Sequence, residues 1–522
     1  MRPPRVSAGV WVFIGALAVR GAYLLTAHGP AFDAPLIDAD YYDYLGTRLA
    51  RGEGFDPGPF WQPPLYPLVL GGLYRLLGPA LLWPRLLQAL LGALTAGLAY
   101  GLARRVSGQG WVGVLAGVAV ALHGPLVFYD GELLATSLGT FLATLALWLA
   151  VREPPTWRAA LLGGACVGLG ALAVAPLLLL GPVVVVAVGR GRWTRGALGA
   201  LACGAVVACA TGANHARSGE WVLISANGGI NLWLGNNADV DGAMALRPGA
   251  AWETLVEEPA RQGLHAPGAQ DAYFTHKALA WCGAHPGPCA RNLVWKARLL
   301  VLARELPRNE DLYVVRTQSP VLQALTARVG DVALPYALLW PLAAVGLVGL
   351  LSGPGSRRAG LTVAAAALVL ALPSVVFFVT GRYRAPLAPV LCVLAALGVA
   401  ALGRWRGAAR AAAGGGALAV FLLAVWPVRL AVDAVDFEAE LHYAVGGRHA
   451  RLGDDGAAVD AWRRALARRP DYLEAGYNLG LALERLGRED EARALYEALV
   501  RAHPREALPR DRLERLRGAR GP

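Results

Sequence analysis

Apolar residues fall into long, nearly unbroken runs along most of this chain. Most runs are about 18–22 residues long, the length that an α-helix needs to cross a bilayer core of roughly 30 Å. Hydrophobic residues make up 56% of the sequence and charged residues only 16%, so lipid must solvate most of it. The pattern predicts an all-α, polytopic transmembrane helical bundle with spans at residues 8–27, 82–103, 110–129, 133–151, 196–213, 331–351, 360–380, 385–403 and 411–430.

One further apolar run, at 159–189, is too long for an ordinary span. Gly170 and Pro176 lie near its middle, where a helix can break and turn back. We interpret the run as two passes, which brings the total to about eleven spans. A single long tilted pass is the alternative, and it would invert the topology of everything that follows.

The net charge of +12 comes from arginine, because lysine occurs only at 277 and 296. Short basic links between spans belong on the cytoplasmic side of a membrane. The charge therefore reports topology and does not indicate a nucleic-acid partner. It predicts a bacterial inner (plasma) membrane protein with a cytoplasmic N-terminus, whose inner links carry Arg2, Arg5, Arg104, Arg105, Arg152, Arg158, Arg190, Arg192, Arg195, Arg357, Arg358, Arg404, Arg406 and Arg410.

This topology leaves several regions on the extracytoplasmic side. They are a first outer loop at 28–81, a tight turn at 129–132, a large outer loop at 214–330, and the tail beyond 431. The first outer loop is predicted to carry interfacial helices, since 63–78 is too short and too rich in proline and glycine to cross easily.

The C-terminal tail is charged, rich in alanine and repetitive. Small, aromatic and proline positions recur there at an offset of about 34 residues, a period that resembles the tetratricopeptide repeat. We predict a membrane domain at 1–430 and a small α-helical repeat domain at 433–522, with a capping helix at 505–517. Such a domain normally binds a protein or peptide, and the matching pairs are Gly453 and Gly487, Ala458 and Ala492, Trp462 and Tyr496, and Pro470 and Pro504.

Two acids of the first outer loop are candidates for chemistry. Asp38 precedes a stretch in which Tyr41, Tyr44 and Arg48 recur at helical spacing, so it is expected at the start of an amphipathic helix on the membrane surface. The structural alternative makes Asp38 an N-cap and Asp40 a first-turn acid that favours the helix dipole.

The second outer turn contains Asp130 and Glu132, between two predicted spans. Ionisable groups this close to hydrocarbon are costly, which makes them functional candidates. The alternative is that they are solvated turn residues.

The large outer loop adds two further features. Asn227 and Asn236 lie in a stretch rich in asparagine and glycine that suits either sugar contacts or a packed loop. Cys282 and Cys289 lie close together in a predicted oxidising compartment, which favours a disulfide. A metal site that includes His276 and His285 is the alternative, although their spacing is not a standard zinc pattern, and we predict no metal ligands.

Several segments together resemble one enzyme family. These are the acid-led helix after the first span, FWQPPLYP at 60–67, the acidic second outer turn, SANGGINLWLGNNADVDGAM at 225–244, and GRYRAPLAPVLCVLAA at 381–396. In this order they resemble the C-type glycosyltransferase superfamily, and more closely its protein mannosyltransferase-like group, glycosyltransferase family 39. The resemblance spans residues 8 to about 430.

The resemblance implies an inverting transfer of a sugar from a polyprenyl-phosphate donor to an extracytoplasmic acceptor, which is a glycan, lipid or protein. Asp38 matches the general base of the family, and Asp40 is the alternative because Ala39 stands where many members have a second acid. Asp130 or Glu132 matches the acid that orients the acceptor or the base. Whether a divalent ion takes part stays open, since enzymes of this superfamily differ, and the family's donor-phosphate site corresponds here to Arg382, Tyr383 and Arg384.

Two other classes of function remain. A noncatalytic membrane scaffold would present the repeat domain to envelope proteins. A secondary transporter would need ionisable groups at mid-membrane depth, and the predicted spans contain almost none away from their ends.

Overall fold

The computed structural model describes residues 7–350 and 355–518, so Arg2 and Arg5 of the first predicted basic link lie outside the described residues. These residues are almost entirely helical. The chain begins with a long apolar helix, α1 (Ala8–Thr26), and continues through α2 (Pro30–Asp33), α3 (Asp38–Arg51) and α4 (Leu65–Leu77). Helix α3 is the predicted amphipathic helix, and it buries Tyr42 and Leu45.

The next part of the membrane domain consists of seven helices. The predicted span 110–129 is bent by 50° where α6 meets α7. A 3-10 turn at Ala175–Leu180 precedes α10. The seven helices are α5 (Leu82–Ser107), α6 (Gly110–Ala121), α7 (Gly124–Gly131), α8 (Thr136–Ala150), α9 (Trp157–Ala173), α10 (Gly181–Gly189) and α11 (Trp193–Ser218).

The long apolar run at 159–189 folds as a helical hairpin. Gly163 faces Val184, Gly181 faces Val167, and Gly170 faces Leu177. The sum of the two residue numbers is nearly constant in these pairs, which is the signature of antiparallel packing. A chain that turns back in this way is what the two-pass interpretation requires.

The large outer loop is also helical. Its short helices are followed by one antiparallel pair of two-residue strands, β1 (Arg328–Val329) and β2 (Val332–Ala333). Cys282 and Cys289 are joined in a disulfide where α16 meets α17. The helices are α12 (Gly228–Gly235), α13 (Val240–Ala245), α14 (Ala250–Val256), α15 (Glu258–Arg261), α16 (Pro267–Ala284), α17 (Pro286–Leu300), α18 (Leu312–Val315) and α19 (Pro320–Leu325).

The membrane domain ends with α20 (Tyr336–Gly349), α21 (Arg357–Val376), α22 (Gly381–Arg384), α23 (Ala388–Arg404) and α24 (Gly407–Val425). Helices α20 and α23 approach closely through Gly346 and Gly398. A Cβ at either glycine would collide with a backbone carbonyl of the opposite helix. Small residues permit such backbone contact between membrane helices.

Six described helices are long and apolar enough to cross a membrane, and the bent pair α6–α7 adds a seventh. The predicted total of about eleven spans would also need the shorter apolar helices α8, α9, Ala175–Gly189 and α20. The chain is a multi-pass α-helical membrane protein. The side of the membrane on which each loop lies stays a prediction.

The C-terminal region forms two helical hairpins and a final helix. Gly446 packs under Trp462, and 34 residues later Gly480 packs under Tyr496. The repeated pairing of glycine with an aromatic residue explains the sequence period. The large ring lies against a position of the facing helix that must be glycine, because a side chain there would collide with it. The helices are α25 (Phe437–Arg451), α26 (Asp455–Arg468), α27 (Leu473–Arg485), α28 (Glu489–Ala502) and α29 (Ala507–Gly518).

Candidate functional site

Asp38 is the first residue of α3, and the residue before it, Ile37, has a strained backbone conformation. Ile37 has φ 53°, and no other described residue apart from glycine has a positive φ. A β-branched residue avoids this region, so surrounding contacts must hold it there. Because Ile37 occupies the N-cap position of α3, Asp38 is not the helix cap that the structural alternative proposed.

The carboxylate of Asp38 forms an ion pair with Arg382, whose Nη1 donates to Asp38 Oδ2 at 2.5 Å. The two side chains come from opposite ends of the membrane domain. Burial alone would raise the pKa of Asp38, but the charge of Arg382 and hydrogen bonds from Asn309 and Arg382 hold it below its ordinary value. The carboxylate is therefore held in its ionised form.

A small cavity of about 40 Å³ lies beside this ion pair. Its walls come from the start of α3, the end of α7, the segment after α17 and the start of α22. Charged and hydroxyl groups lie among apolar ones, which suits a polar ligand that also carries an apolar part. Its polar lining residues include Tyr129, Glu132, Arg308, Glu310, Thr380 and Arg382.

Two carboxyl groups, Glu132 and Glu310, line the same cavity. Burial raises the pKa of both groups, and the charge of Glu132 raises that of Glu310 further. The positive charge of Arg85 opposes the shift at Glu132, as that of Arg247 does at Glu310. Both carboxyl groups therefore favour their protonated, neutral forms more than an exposed carboxyl group does.

Arg308 supplies a second guanidinium at the cavity. Its Nη1 donates to the carbonyls of Met244 and Leu246, both at 3.1 Å. Burial and then the neighbouring charges of Arg247 and Arg382 lower the pKa of Arg308 to about 10. The group is still charged at neutral pH, so the cavity carries two cations beside the Asp38 carboxylate.

The sequence analysis missed the segment that contains Arg308. This segment, ELPRNED at 305–311, follows α17 and supplies both Arg308 and Glu310 to the cavity. A cluster of charges after a proline, immediately past an amphipathic helix, was the available signal. In the sequence, this cluster could not be distinguished from the many other charged residues of the large outer loop.

Asp130 does not lie in the exposed turn that the sequence predicted. It is a buried residue of α7, and its Oδ2 accepts a hydrogen bond from Arg20 Nε at 2.6 Å. Arg20 also donates to the carbonyls of Ala16 and Ala121, both at 3.3 Å. Arg20 lies inside α1, so it is an ionisable group within a predicted span that the sequence analysis overlooked. Of the two predicted acids, Glu132 reaches the cavity.

Asp40 faces away from Arg382 and towards the repeat domain. Its carboxylate is paired with Arg448 and Arg451 of α25. Asp38 and Asp40, two residues apart on one helix, therefore have different partners, as expected for positions that do not share a helix face.

Arg382 and Arg384 also have different partners, although they are two residues apart. Arg384 is buried, and it donates to the carbonyls of Arg304 at 2.9 Å and Leu302 at 3.0 Å. Its guanidinium also lies 3.7 Å from the ring centroid of Tyr336. Arg384 therefore stabilises the segment after α17. Of the two predicted arginines, Arg382 is the one that lines the cavity.

The remaining predicted residues do not line the cavity. Tyr383 packs against Phe378, with ring centroids 5.4 Å apart. Asn236 donates to the Val376 carbonyl at 2.8 Å and accepts from the buried Lys296 at 3.2 Å. Asn227 donates to Gln62 at 3.4 Å. Both asparagines are used in packing the loop.

Within residues 7–350 and 355–518, no group of three or more histidine, cysteine, aspartate or glutamate side chains is arranged to hold a metal ion. Cys282 and Cys289 are occupied by their mutual disulfide.

The fold and the cavity define a multi-pass α-helical membrane protein with a C-terminal tetratricopeptide repeat domain. Residues 474–505 match the tetratricopeptide repeat family. No curated protein matches this chain significantly.

Solved structures give weak similarities. The oligosaccharyltransferase AglB from Archaeoglobus fulgidus, in complex with an inhibitory peptide and a dolichol-phosphate, has a TM-score of 0.44 at 15% identity. That match covers 80% of this chain and 54% of AglB, so the chain spans about half of that protein. ArnT from Cupriavidus metallidurans bound to undecaprenyl phosphate has a TM-score of 0.44 at 17% identity, covering 94% of this chain and 79% of ArnT.

Proposed function

We propose that this chain is a membrane glycosyltransferase that moves a sugar from a polyprenyl-phosphate donor to an extracytoplasmic acceptor, with inversion at the anomeric carbon. One observation carries the proposal: Asp38 and Arg382, both picked out by the family resemblance, meet at the edge of a cavity. A carboxylate and a guanidinium side by side provide the base and the anion site that such a transfer needs.

Asp38 is the proposed general base. An acceptor hydroxyl that attacks the anomeric carbon loses a proton, and a positioned carboxylate can take it as the bond forms. The lowered pKa keeps Asp38 ionised and ready to accept a proton. In this proposal Asp40 is not the alternative base, because its carboxylate is engaged by Arg448 and Arg451.

Arg382 and Arg308 are the proposed phosphate-binding groups. Guanidinium groups bind phosphate through short, charge-assisted hydrogen bonds. A donor phosphate that draws Arg382 away from Asp38 would remove the charge that lowers the pKa of Asp38. Binding of the donor would in this way turn Asp38 into a stronger base at the moment when it is needed.

Glu132 and Glu310 are the proposed acceptor-binding groups. A protonated carboxyl group can both donate and accept hydrogen bonds, which suits the hydroxyl groups of a sugar or side chain.

The test is transfer by the purified full-length chain, reconstituted in lipid with a panel of polyprenyl-phosphate sugars. A general base contributes about 10²–10⁴ to the rate. We therefore expect Asp38→Asn to lower kcat by about that factor while the protein still binds the donor lipid. Asp33→Asn is the matched control, because Asp33 lies in the same loop, accepts a hydrogen bond from Gly29 and does not line the cavity.

Transfer by Asp38→Asn at the rate of wild type would overturn the role of the base. The noncatalytic scaffold is the competing function, and the docked repeat domain is the observation that favours it. The scaffold predicts no transfer by the wild type with any donor, together with unchanged complex formation in the Asp38→Asn variant.

A transporter would use buried ionisable groups, and Arg20 with Asp130 is such a pair. Arg20 donates hydrogen bonds to two backbone carbonyls as well as to Asp130. Such contacts are typical of a residue that fixes the packing of helices, and not of one that binds and releases an ion.

A further inference from the structure

The first helix of the repeat domain, α25, is packed against the membrane domain. Phe437, Leu441 and Val445 recur at helical spacing and belong to the main hydrophobic core, which they share with the membrane helices. The opposite side of α25 packs within the repeat domain, where Ala439 lies in a separate core with Trp462. The helix is therefore common to both domains.

At one end, α25 holds the helix that carries Asp38. Arg448 is paired with Asp40 and with Asp43, the latter at 3.1 Å, and Arg451 is also paired with Asp40. Asp40, Asp43 and Arg448 are each only about one-fifth exposed. Ion pairs that are shielded from water to this extent are stronger than ordinary surface pairs.

At the other end, α25 holds the segment that carries Arg308. Glu440 lies 3.7 Å from Arg247 Nε. Arg247 in turn donates to the carbonyl of Arg308 and, at 2.9 Å, to the carbonyl of Asn309. The Arg247 guanidinium also lies 4.8 Å from the ring centroid of Phe437.

A second, smaller cavity, of about 10 Å³, lies directly between α25 and the candidate site. Glu440 and Leu441 of α25 line it on one side. Leu36, Asn309 and Glu310 line both this cavity and the larger one. The repeat domain thus lies one residue layer away from the proposed reacting groups.

We propose that α25 is a positioning element of the transferase site. It joins α3 at one end and the 308–310 segment at the other, and so sets the distance between the proposed base and the second phosphate-binding arginine. The repeat domain is then part of the site and not an appended module. This inference rests on the proposed function, since it assigns α25 a role in that reaction.

The test is the double variant Arg448→Gln, Arg451→Gln, with Arg485→Gln as the matched control. Arg485 forms a comparable pair with Asp455, but within the repeat domain. Hydrogen–deuterium exchange in lipid nanodiscs should become faster in α3 and also in the 305–311 segment for the double variant alone. Faster exchange in the repeat domain without any change in these two segments would overturn the proposal.

Kinetics add a second measurement. A displacement of about 1 Å at reacting groups costs about 10²-fold in rate. We expect the double variant to lose up to that factor in kcat with little change in KM for the polyprenyl-phosphate sugar, and Arg448→Lys, Arg451→Lys to recover part of it. An unchanged kcat in the double variant would overturn the positioning role. The exchange measurement does not need transfer activity, so failure of the proposed function would be seen separately.

Discussion

Two of the arginine–aspartate pairs that join distant parts of this chain differ in their surroundings. Arg382 and Asp38, the outer pair, lie at the cavity, whereas Arg20 and Asp130, the inner pair, lie inside the helix bundle. Arg382 and Asp38 keep 27% and 24% of their side-chain surfaces exposed, whereas Arg20 and Asp130 keep 1% and 4%. The outer pair is bordered by a cavity, and its members can exchange partners with a ligand. The inner pair has no such freedom, because water or ligand would have to enter the bundle.

The same two residue types therefore have different roles in the inner and the outer pair. Removing one partner of a buried pair leaves a charge without compensation, which costs much more than the pair itself contributes. A partly exposed pair contributes little to stability, because water solvates either partner when it is left alone. The inner pair is expected to matter for folding and the outer pair for binding and catalysis.

The largest expected effect on stability follows from breaking the inner pair. Asp130→Ala leaves Arg20 buried and unpaired, so we expect it to lower the free energy of unfolding by about 3–5 kcal/mol. Asp38→Ala at the outer pair should change it by about 1 kcal/mol or less. Thermal unfolding of both variants in the same detergent measures the contrast, and equal melting temperatures would contradict it.

A smaller effect concerns the outer pair and the pH dependence of transfer. In the proposed function, Arg382→Gln would remove a charged hydrogen bond to the donor, worth about 1.5–3 kcal/mol, so we expect kcat/KM to fall by about 10–10²-fold. The same change removes the charge that lowers the pKa of Asp38. A base must be deprotonated, so activity is lost as the pH falls through this pKa. The acidic limb of the pH profile should therefore move to higher pH in Arg382→Gln.

The identical measurement on Arg404→Gln is the control, because Arg404 lies at the far end of α23. An acidic limb that stays in place in Arg382→Gln would show that Asp38 is not the group that titrates.

The smallest effect concerns the Glu132 and Glu310 carboxyl groups. A carboxyl whose pKa is raised on folding stabilises the protein while it is protonated, and this contribution is lost as the pH rises above the ordinary carboxyl pKa of about 4.3. Glu132→Gln cannot ionise, so its unfolding free energy should decline less with rising pH. One proton accounts for at most about 1.4 kcal/mol per pH unit. Parallel stability profiles of wild type and Glu132→Gln would refute this assignment.

Much of the fold was predictable because its signals are local. The apolar runs mark most membrane helices, and the break in the run at 159–189 lies close to Pro176. The 34-residue period predicted two helical hairpins, and the paired Gly446–Trp462 and Gly480–Tyr496 contacts show why it exists. The docking of α25 onto α3 was not predictable, because the residues that form it are separated by about 400 positions.

The sequence alone determined the composition of each helix, the repeat and the pool of charged residues from which a site could be built. Only the tertiary structure decided which of those residues face each other. Three predicted pairs show the reason: Asp38 and Asp40, Asp130 and Glu132, and Arg382 and Arg384 are each two residues apart. Positions two apart on a helix point in different directions, and Glu132 lies beyond the end of α7 in extended backbone. The fold therefore gives each member of a pair a different partner, and only the packing of the distant elements shows which member lines the cavity.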